Sequence, residues 1–175
     1  MERLTRSVVI AVASSVLSTL GSPAAEAQSK PPANSREMLL VHWNDIGGKV
    51  VKLAEEFPED KYNFKPVDGV RTFADQLRHV AFWNNYLART ARGEKVDTAP
   101  NEISKTEFAT KVKIVEALKQ SVADAAAELK KQPDTPPLKV ADGFTAFIGH
   151  NGEHYGQLVV YYRLNGLVPP ASRGQ

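Results

Sequence analysis

Four stretches of the chain place apolar residues every three or four positions, which is the spacing of a helix with one buried face. No stretch alternates apolar and polar residues as a half-buried strand would. The predicted helices run from about Ser35 to Glu56, Thr72 to Arg92, Ser104 to Lys131 and Asp142 to Asn165. The positions expected to be buried are Leu39, Trp43, Ile46, Val50, Leu53 and Phe57, then Phe73, Leu77, Val80, Asn84 and Leu87, then Phe108, Val112, Val115, Leu118, Val122 and Leu129, and finally Phe144, Phe147, Ile148, Asn151, Tyr155 and Leu158.

Helix-capping and helix-breaking residues lie at the ends of these stretches. The expected N-caps are Ser35, Ser104 (with Glu107 completing a capping box) and Asp142. The expected stops are Pro58, Gly93 and Gly166. Four amphipathic helices of similar length with moderate loops predict an all-α, up-down four-helix bundle, formed as a single domain by residues 35–175.

The N-terminus has the features of a secretory signal peptide. Arg3 and Arg6 precede an apolar run over residues 7–20, and Ala25-Glu26-Ala27 has the small-x-small pattern of a cleavage site. At about 14 residues the run is shorter than the ~20 that span a bilayer, so an uncleaved anchor is the weaker alternative. We therefore predict a signal peptide over residues 1–27, a disordered leader over 28–34, and export to the periplasm or secretion.

Composition removes several functions from consideration. The formal net charge is +2, and Lys and Glu are interspersed without a basic run, which argues against nucleic acid or an anionic membrane as a partner. The chain has no Cys, so disulfides, thiolate ligands and c-type haem attachment are excluded. The expected partner is a small-molecule substrate, and a homodimer formed through a bundle face remains open. Any metal must be held by His, carboxylate or neutral oxygen.

Three histidines are expected at the seam between the second and fourth helices. His150 and His154 are one helical turn apart and lie about 40° from each other on the helix wheel, on one flank of the apolar stripe. His79 lies on a flank of the second helix. Imidazoles placed in this way can converge on one first-row metal ion. The alternative is that all three are hydrogen-bonded boundary residues, which is also the reading favoured for His42 over a fourth ligand or a substrate contact.

The same segment spells His-x-x-Glu-His over residues 150–154, a metalloprotease signature. We interpret the match as accidental, because no acidic residue follows Glu153 to act as the further metal ligand of such proteases. The domain is also too small for the fold of these enzymes. Glu153 remains a candidate catalytic base near His150, with a solvated surface carboxylate as the alternative. Gln157 is a candidate for orienting an imidazole or a water. A ferritin-like di-iron centre is excluded because no His is preceded by Glu at the third position.

Two longer motifs carry a family resemblance. The run R-[ST]-F-x-x-Q-L-x-H ends at His79, and the run H-x-x-x-H-x-G-Q ends at Gln157. The second run is followed by the helix-ending segment at residues 166–170. On these motifs the chain resembles the DinB-like (DNA-damage-inducible) family of four-helix-bundle proteins. The resemblance implies that His79, His150 and His154 bind one divalent ion, commonly zinc or nickel. It also implies chemistry of the kind found in the family's thiol-dependent S-transferases, isomerase and hydrolase-like members.

This sequence departs from the family in two ways. It carries the predicted export signal, whereas low-molecular-weight thiols are mainly cytosolic, and Tyr155 stands where a basic residue usually follows the last His. The resulting hypothesis is an exported metal-dependent hydrolase or transferase acting on a small molecule. Zinc or nickel is favoured, and iron or copper is compatible. The alternatives are a noncatalytic, stress-related bundle that binds metal or ligand, and a purely structural bundle.

Overall fold

Four α-helices make up most of the computed structural model, which describes residues 31–174. They are α1 (Ser35–Glu56), α2 (Phe73–Ala91), α3 (Lys111–Lys130) and α4 (Leu138–Leu164), with short 3-10 turns at Glu59–Lys61 and Pro170–Ser172. The described part contains no strand. The predicted all-α four-helix bundle is therefore confirmed.

α4 runs parallel to α1. Near the start of both helices, the rings of Trp43 and Phe144 pack edge to face with their centroids 5.5 Å apart. Near the end of both helices, the hydroxyl of Tyr162 donates a hydrogen bond of 2.6 Å to the carbonyl oxygen of Leu53. α1 and α2 each pack against both α3 and α4.

α2 runs antiparallel to α4, and a buried polar chain fixes their register. The side-chain amide of Asn151 donates to Asn84 Oδ1 (3.0 Å), and Asn84 Nδ2 donates to Ser121 Oγ on α3 (3.3 Å). All three side chains are fully buried. Leaving such a group unpaired would cost about 1–3 kcal/mol, so sliding one helix past another is disfavoured. This register places His79 opposite His150 and His154.

The connection from α2 to α3 runs back along α2. The backbone N–H of Ile103 donates to the carbonyl of Arg78 (3.4 Å), and Arg78 Nε donates to the carbonyl of Phe108 (3.0 Å). α3 therefore starts beside the beginning of α2 and ends beside its end, where Arg92 pairs with Glu128 (3.3 Å). The directions along the chain are up, down, down, up, which refines the prediction of an up-down bundle.

The predicted start of α3 at Ser104 was wrong, because α3 begins at Lys111 with Thr110 as its N-cap. The backbone N–H of Glu107 does donate to Ser104 Oγ (3.2 Å), but this bond closes an isolated turn. The segment between this turn and α3 is instead bonded to α2, where the guanidinium of Arg78 donates to the carbonyl of Phe108.

Three further expectations are corrected. Asn34, rather than Ser35, caps α1, because its side chain accepts the N–H of Glu37 (2.9 Å) and the Glu37 carboxylate accepts the N–H of Ala33 (2.8 Å). Asp142 lies inside α4, which starts four residues earlier because the Pro137 carbonyl already accepts the N–H groups of Val140 and Ala141. One residue expected in the core, Val112, is exposed because it lies in the first turn of α3, facing away from the bundle.

Two clusters of apolar side chains fill the bundle. The larger contains the stacked rings of Phe57 and Phe73, 3.8 Å apart, with Tyr62 and Tyr162 beside them. The smaller surrounds Trp43. Burying one such side chain stabilises the fold by about 1.5–3 kcal/mol, so these rings account for a large part of the stability.

The predicted signal peptide, residues 1–27, lies outside the described residues, as do residues 28–30 of the predicted leader. Ala33 and Asn34 at the end of that leader are bonded to the first turn of α1. No helix among residues 31–174 is both long enough and apolar enough to cross a membrane.

Candidate metal centre

The structure brings His79 of α2 together with His150 and His154 of α4. His150 Nε2 lies 3.2 Å from Nε2 of His79 and 3.2 Å from Nε2 of His154. One nitrogen from each ring falls within 4.8 Å of the other two. The one-turn spacing on α4 aligns two of the rings, and the Asn84–Asn151 register supplies the third.

The outer nitrogens of two rings are fixed by hydrogen bonds. His79 Nδ1 lies 2.8 Å from the carbonyl oxygen of Asn101, and His154 Nδ1 lies 2.8 Å from Gln76 Oε1. These oxygens can only accept, so the proton of each imidazole is on Nδ1. The lone pair of each Nε2 therefore points at the shared centre.

This arrangement suits a cation better than it suits the histidines alone. A neutral His150 can donate one Nε2–H, which satisfies either His79 or His154 and leaves the other lone pair facing a nitrogen. His150 Nδ1 is itself buried without a hydrogen-bond partner in the described part of the chain. Nitrogens that each lie about 2.1 Å from one ion can be up to about 4.2 Å apart, so separations of 3.2 Å fit a shared zinc-like ion.

Burial keeps all three imidazoles neutral at neutral pH. Removal from water, followed by the repulsion that a protonated His79 would exert and then by the charge of Arg71, lowers the pKa of His150 to about 4. Desolvation, followed by the neighbouring histidines and Arg71, lowers the pKa of His154 to about 3. Desolvation also lowers the pKa of His79. Since only neutral imidazole binds metal, the lone pairs are available without displacing a proton.

A cleft of about 860 Å³ opens beside His154. This volume is within the range of small-molecule sites. The cleft is bounded by the end of the loop before α2, the start of α2, residues 102–105 and the outer side of α4. Its polar lining consists of Arg71, Asp75, Gln76, Glu102, Lys105, His154, Gln157 and Tyr161.

Aromatic side chains cover the other flank of the centre. The ring of Phe147 lies 5.7 Å from that of His150, and the Trp83 ring lies 6.3 Å from it, measured between centroids. Trp83 and Phe147 stack on each other at 5.9 Å. Access to the three nitrogens is therefore restricted on this flank, while the cleft beside His154 stays open.

Asn101 holds His79 from an unusual backbone conformation. Its φ is +56°, which makes it the one non-glycine residue with positive φ in the described chain. Asn tolerates this left-handed region better than most residues. Its side-chain Oδ1 accepts the indole N–H of Trp83 at 2.8 Å. Asn101 is therefore bonded to α2 through both its backbone carbonyl and its side chain.

Sequence reasoning singled out neither Asn101 nor Gln76 as a partner of the histidines. Gln76 stands three residues before His79 within the quoted motif, so that motif contained a usable signal. Asn101 lies in the long connection, and nothing in its local sequence marks it.

Two of the three remaining candidates lie apart from the three nitrogens. His42 is exposed on α1, and Glu153 is exposed on α4 and belongs neither to the histidine group nor to the cleft lining. Gln157 lines the cleft one turn beyond His154, and its side chain hydrogen-bonds to that histidine, which partly opposes the lowering of the His154 pKa. The catalytic role of Glu153 stays a prediction.

The fold and the site together define a four-helix bundle with a candidate three-histidine metal centre. The family model of the DinB superfamily matches residues 43–158, a span that includes all three histidines. The chain therefore belongs to the DinB superfamily, whose members often bind metal. Among curated proteins, no match to the chain was found.

Proposed function

We propose that this protein is an exported, metal-dependent hydrolase or transferase that acts on a small molecule. His79, His150 and His154 would hold one divalent ion. The observation that carries the proposal is the convergence of three Nε2 atoms at 3.2 Å, with two of the rings locked by Nδ1 hydrogen bonds so that their lone pairs face the centre.

Three protein ligands leave coordination positions open, which is the arrangement of catalytic rather than structural zinc sites. A divalent ion supplies Lewis acidity, which polarises a carbonyl group or acidifies water or a thiol. The chain's own residues would orient the ligands through Asn101 and Gln76 and admit substrate through the cleft beside His154. Zinc or nickel is the favoured ion, and an imidazole donor set also suits copper and iron.

A noncatalytic metal-binding bundle is the second candidate, and one observation favours it. Both carboxylates that line the cleft are engaged: Glu102 pairs with Arg71 (2.9 Å), and Asp75 pairs with Arg78 (2.8 Å) and Lys105 (3.0 Å). Neither is free to act as a base in this arrangement. Metal-loaded protein that is inert toward ester, amide and thiol-transfer substrates would favour this candidate.

Export to the periplasm or beyond, a monomer or homodimer without a membrane anchor, and the absence of a nucleic-acid partner belong to the same proposal. They are supported by the N-terminal sequence pattern and the charge distribution. Edman sequencing of the protein recovered from a secreting host tests cleavage after Ala27. Light scattering of the purified protein gives its oligomeric state.

The metal test uses untagged, chelator-stripped protein titrated calorimetrically with zinc and with nickel. We expect one ion per chain, and strongly weakened binding in His150→Ala and His154→Ala. The matched control is His42→Ala, which removes an exposed histidine outside the group and should bind one ion as the unsubstituted protein does. Equal binding in His154→Ala and His42→Ala would remove the proposal.

A further inference from the structure

The charged side chains that line the cleft beside His154 form one network of ion pairs. Lys105 lies 3.0 Å from Asp75 and 3.5 Å from Glu102, and Arg71 pairs with Glu102. Arg78, which is not part of the cleft lining, also pairs with Asp75. Both carboxylates are therefore already paired with cations, next to a group of neutral histidines.

Arg71 is the cation with unused donors. Its Nε donates to Glu102 Oε1 at 2.9 Å, but neither terminal nitrogen of the guanidinium has a hydrogen bond to the rest of the described chain. A guanidinium carries five N–H donors, so four remain available. Its backbone is held in place because the Tyr161 hydroxyl donates to the Arg71 carbonyl oxygen.

Arg71 also lies beside the metal centre, because Arg71 and His154 line the same cleft. A molecule of modest size lying in that cleft can therefore contact Arg71 at one end and the histidine centre at the other.

The start of α2, also beside this cleft, offers no competing anion site. The backbone N–H of Phe73 donates to Phe64 (3.0 Å), that of Ala74 donates to Tyr62 (2.9 Å), and that of Asp75 donates to Thr72 Oγ1 (3.1 Å). These N–H groups are used within the protein. An anion entering the cleft would have to be bound by side chains.

The floor of the cleft adds apolar surface. Val70 and Val160 line it, and both are well exposed. An exposed valine beside a guanidinium with unused N–H donors suits a molecule with one charged end and an apolar body. A fully polar ligand such as a sugar would leave this surface uncovered.

We propose that the substrate is a small molecule carrying a carboxylate or phosphate group, that Arg71 binds this group, and that its apolar portion lies over Val70 and Val160. Arg71 is then a specificity-determining residue. The inference that the bound molecule is a substrate rests on the proposed function, but the anion site itself can be tested without metal.

The experiment is an NMR titration of ¹⁵N-labelled, chelator-stripped protein with butyrate, with the neutral isostere butyramide, and separately with inorganic phosphate. We expect butyrate and phosphate to shift the signals of cleft residues, and butyramide to bind at least several-fold more weakly. Arg71→Met keeps most of the side-chain volume without the charge and should lose about tenfold in anion affinity, since charged hydrogen bonds are the strong ones.

Three comparisons keep the result interpretable. Arg89→Met removes an ion-paired arginine from the C-terminal end of α2, outside the cleft lining, and should bind butyrate unchanged. Arg71→Lys restores charge without the planar fork and should recover part of the affinity. Thermal melts establish that each variant is folded.

Unchanged butyrate affinity in folded Arg71→Met, or equal binding of butyrate and butyramide, would overturn the inference. Zinc titration of the same samples separates it from the proposed function. Anion binding that depends on Arg71, in protein that does not bind zinc, would support the anion site and contradict the proposed metal centre. Zinc binding together with anion affinity that does not depend on Arg71 would support the metal centre and contradict the anion site. Whichever of phosphate and butyrate binds more tightly identifies the class of anionic group.

Discussion

The three histidines are not supported equally. His79 and His154 each donate Nδ1–H to a fixed oxygen, from Asn101 and Gln76, whereas His150 Nδ1 is buried without a partner in the described residues. Two ligands are thus oriented before any ion arrives, and the third is held by packing alone. Metal affinity should therefore depend mainly on His79 and His154 and less on His150. The residues that orient these two ligands should affect metal affinity almost as much as the ligands themselves.

The largest effect is expected from removing a supported ligand. His154→Ala should weaken zinc binding beyond the about 10–100-fold typical of a lost supporting residue, because a ligand itself is lost. His150→Ala should cost less, because two oriented lone pairs still converge. Competition with a chromophoric chelator measures both. An equal or larger loss in His150→Ala would contradict the unequal support.

Removing a supporting side chain should come next. Gln76→Leu leaves His154 Nδ1 without its acceptor, and we expect zinc affinity to fall by about 10–100-fold. Gln76→Glu keeps an acceptor at this position and should retain more of the affinity. Gln120→Leu removes an exposed glutamine of α3 that bonds to Asp124, so it is the matched control and should have a smaller effect. If Gln76→Leu and Gln120→Leu behave alike, the Gln76 bond does not support the ligand.

A smaller effect is expected at Asn101, whose backbone carbonyl supports His79. Asn101→Gly keeps the carbonyl and readily adopts φ of +56°, whereas Asn101→Ala keeps the carbonyl in a conformation that costs a non-glycine residue about 1–2 kcal/mol. Both variants lose the hydrogen bond to Trp83. Urea unfolding should therefore show Asn101→Ala to be less stable than Asn101→Gly by about 1 kcal/mol. The reverse order would mean that the backbone conformation does not control this position.

The last effect is expected on the stability of metal-free protein in acid rather than on zinc affinity. Unfolded imidazoles protonate as the pH falls through about 6.5, whereas the folded chain keeps His150 neutral until about 4 and His154 until about 3. Between those limits the unfolded state binds more protons, so the free energy of unfolding should decrease as the pH falls.

Urea unfolding at pH 7, 6 and 5 measures this decrease. The double variant His150→Gln, His154→Gln lacks both imidazoles and should show a flatter dependence over the same interval. Identical slopes in the two proteins would show that these histidines are not held neutral by burial.

Much of the fold could be predicted from the sequence because it depends on local spacing. The apolar stripes located the four helices, and the i, i+4 spacing with the quoted motifs identified all three histidines. Other features depend on distant contacts. Arg78 bonds the Phe108 carbonyl in the segment before α3, and the return of the connection along α2 places Asn101 beside His79. Neither contact leaves a mark in the neighbouring sequence.

The most direct test of the three-histidine centre is a long-range ¹H–¹⁵N NMR spectrum of the histidine side chains before and after one equivalent of zinc. We expect the Nε2 signals of His79, His150 and His154 to move together, Nδ1 of His79 and His154 to stay protonated, and His42 to remain unchanged. Zinc binding through Nδ1 of His79 or His154, or a spectrum in which these three histidines do not respond, would contradict a shared ion at this centre.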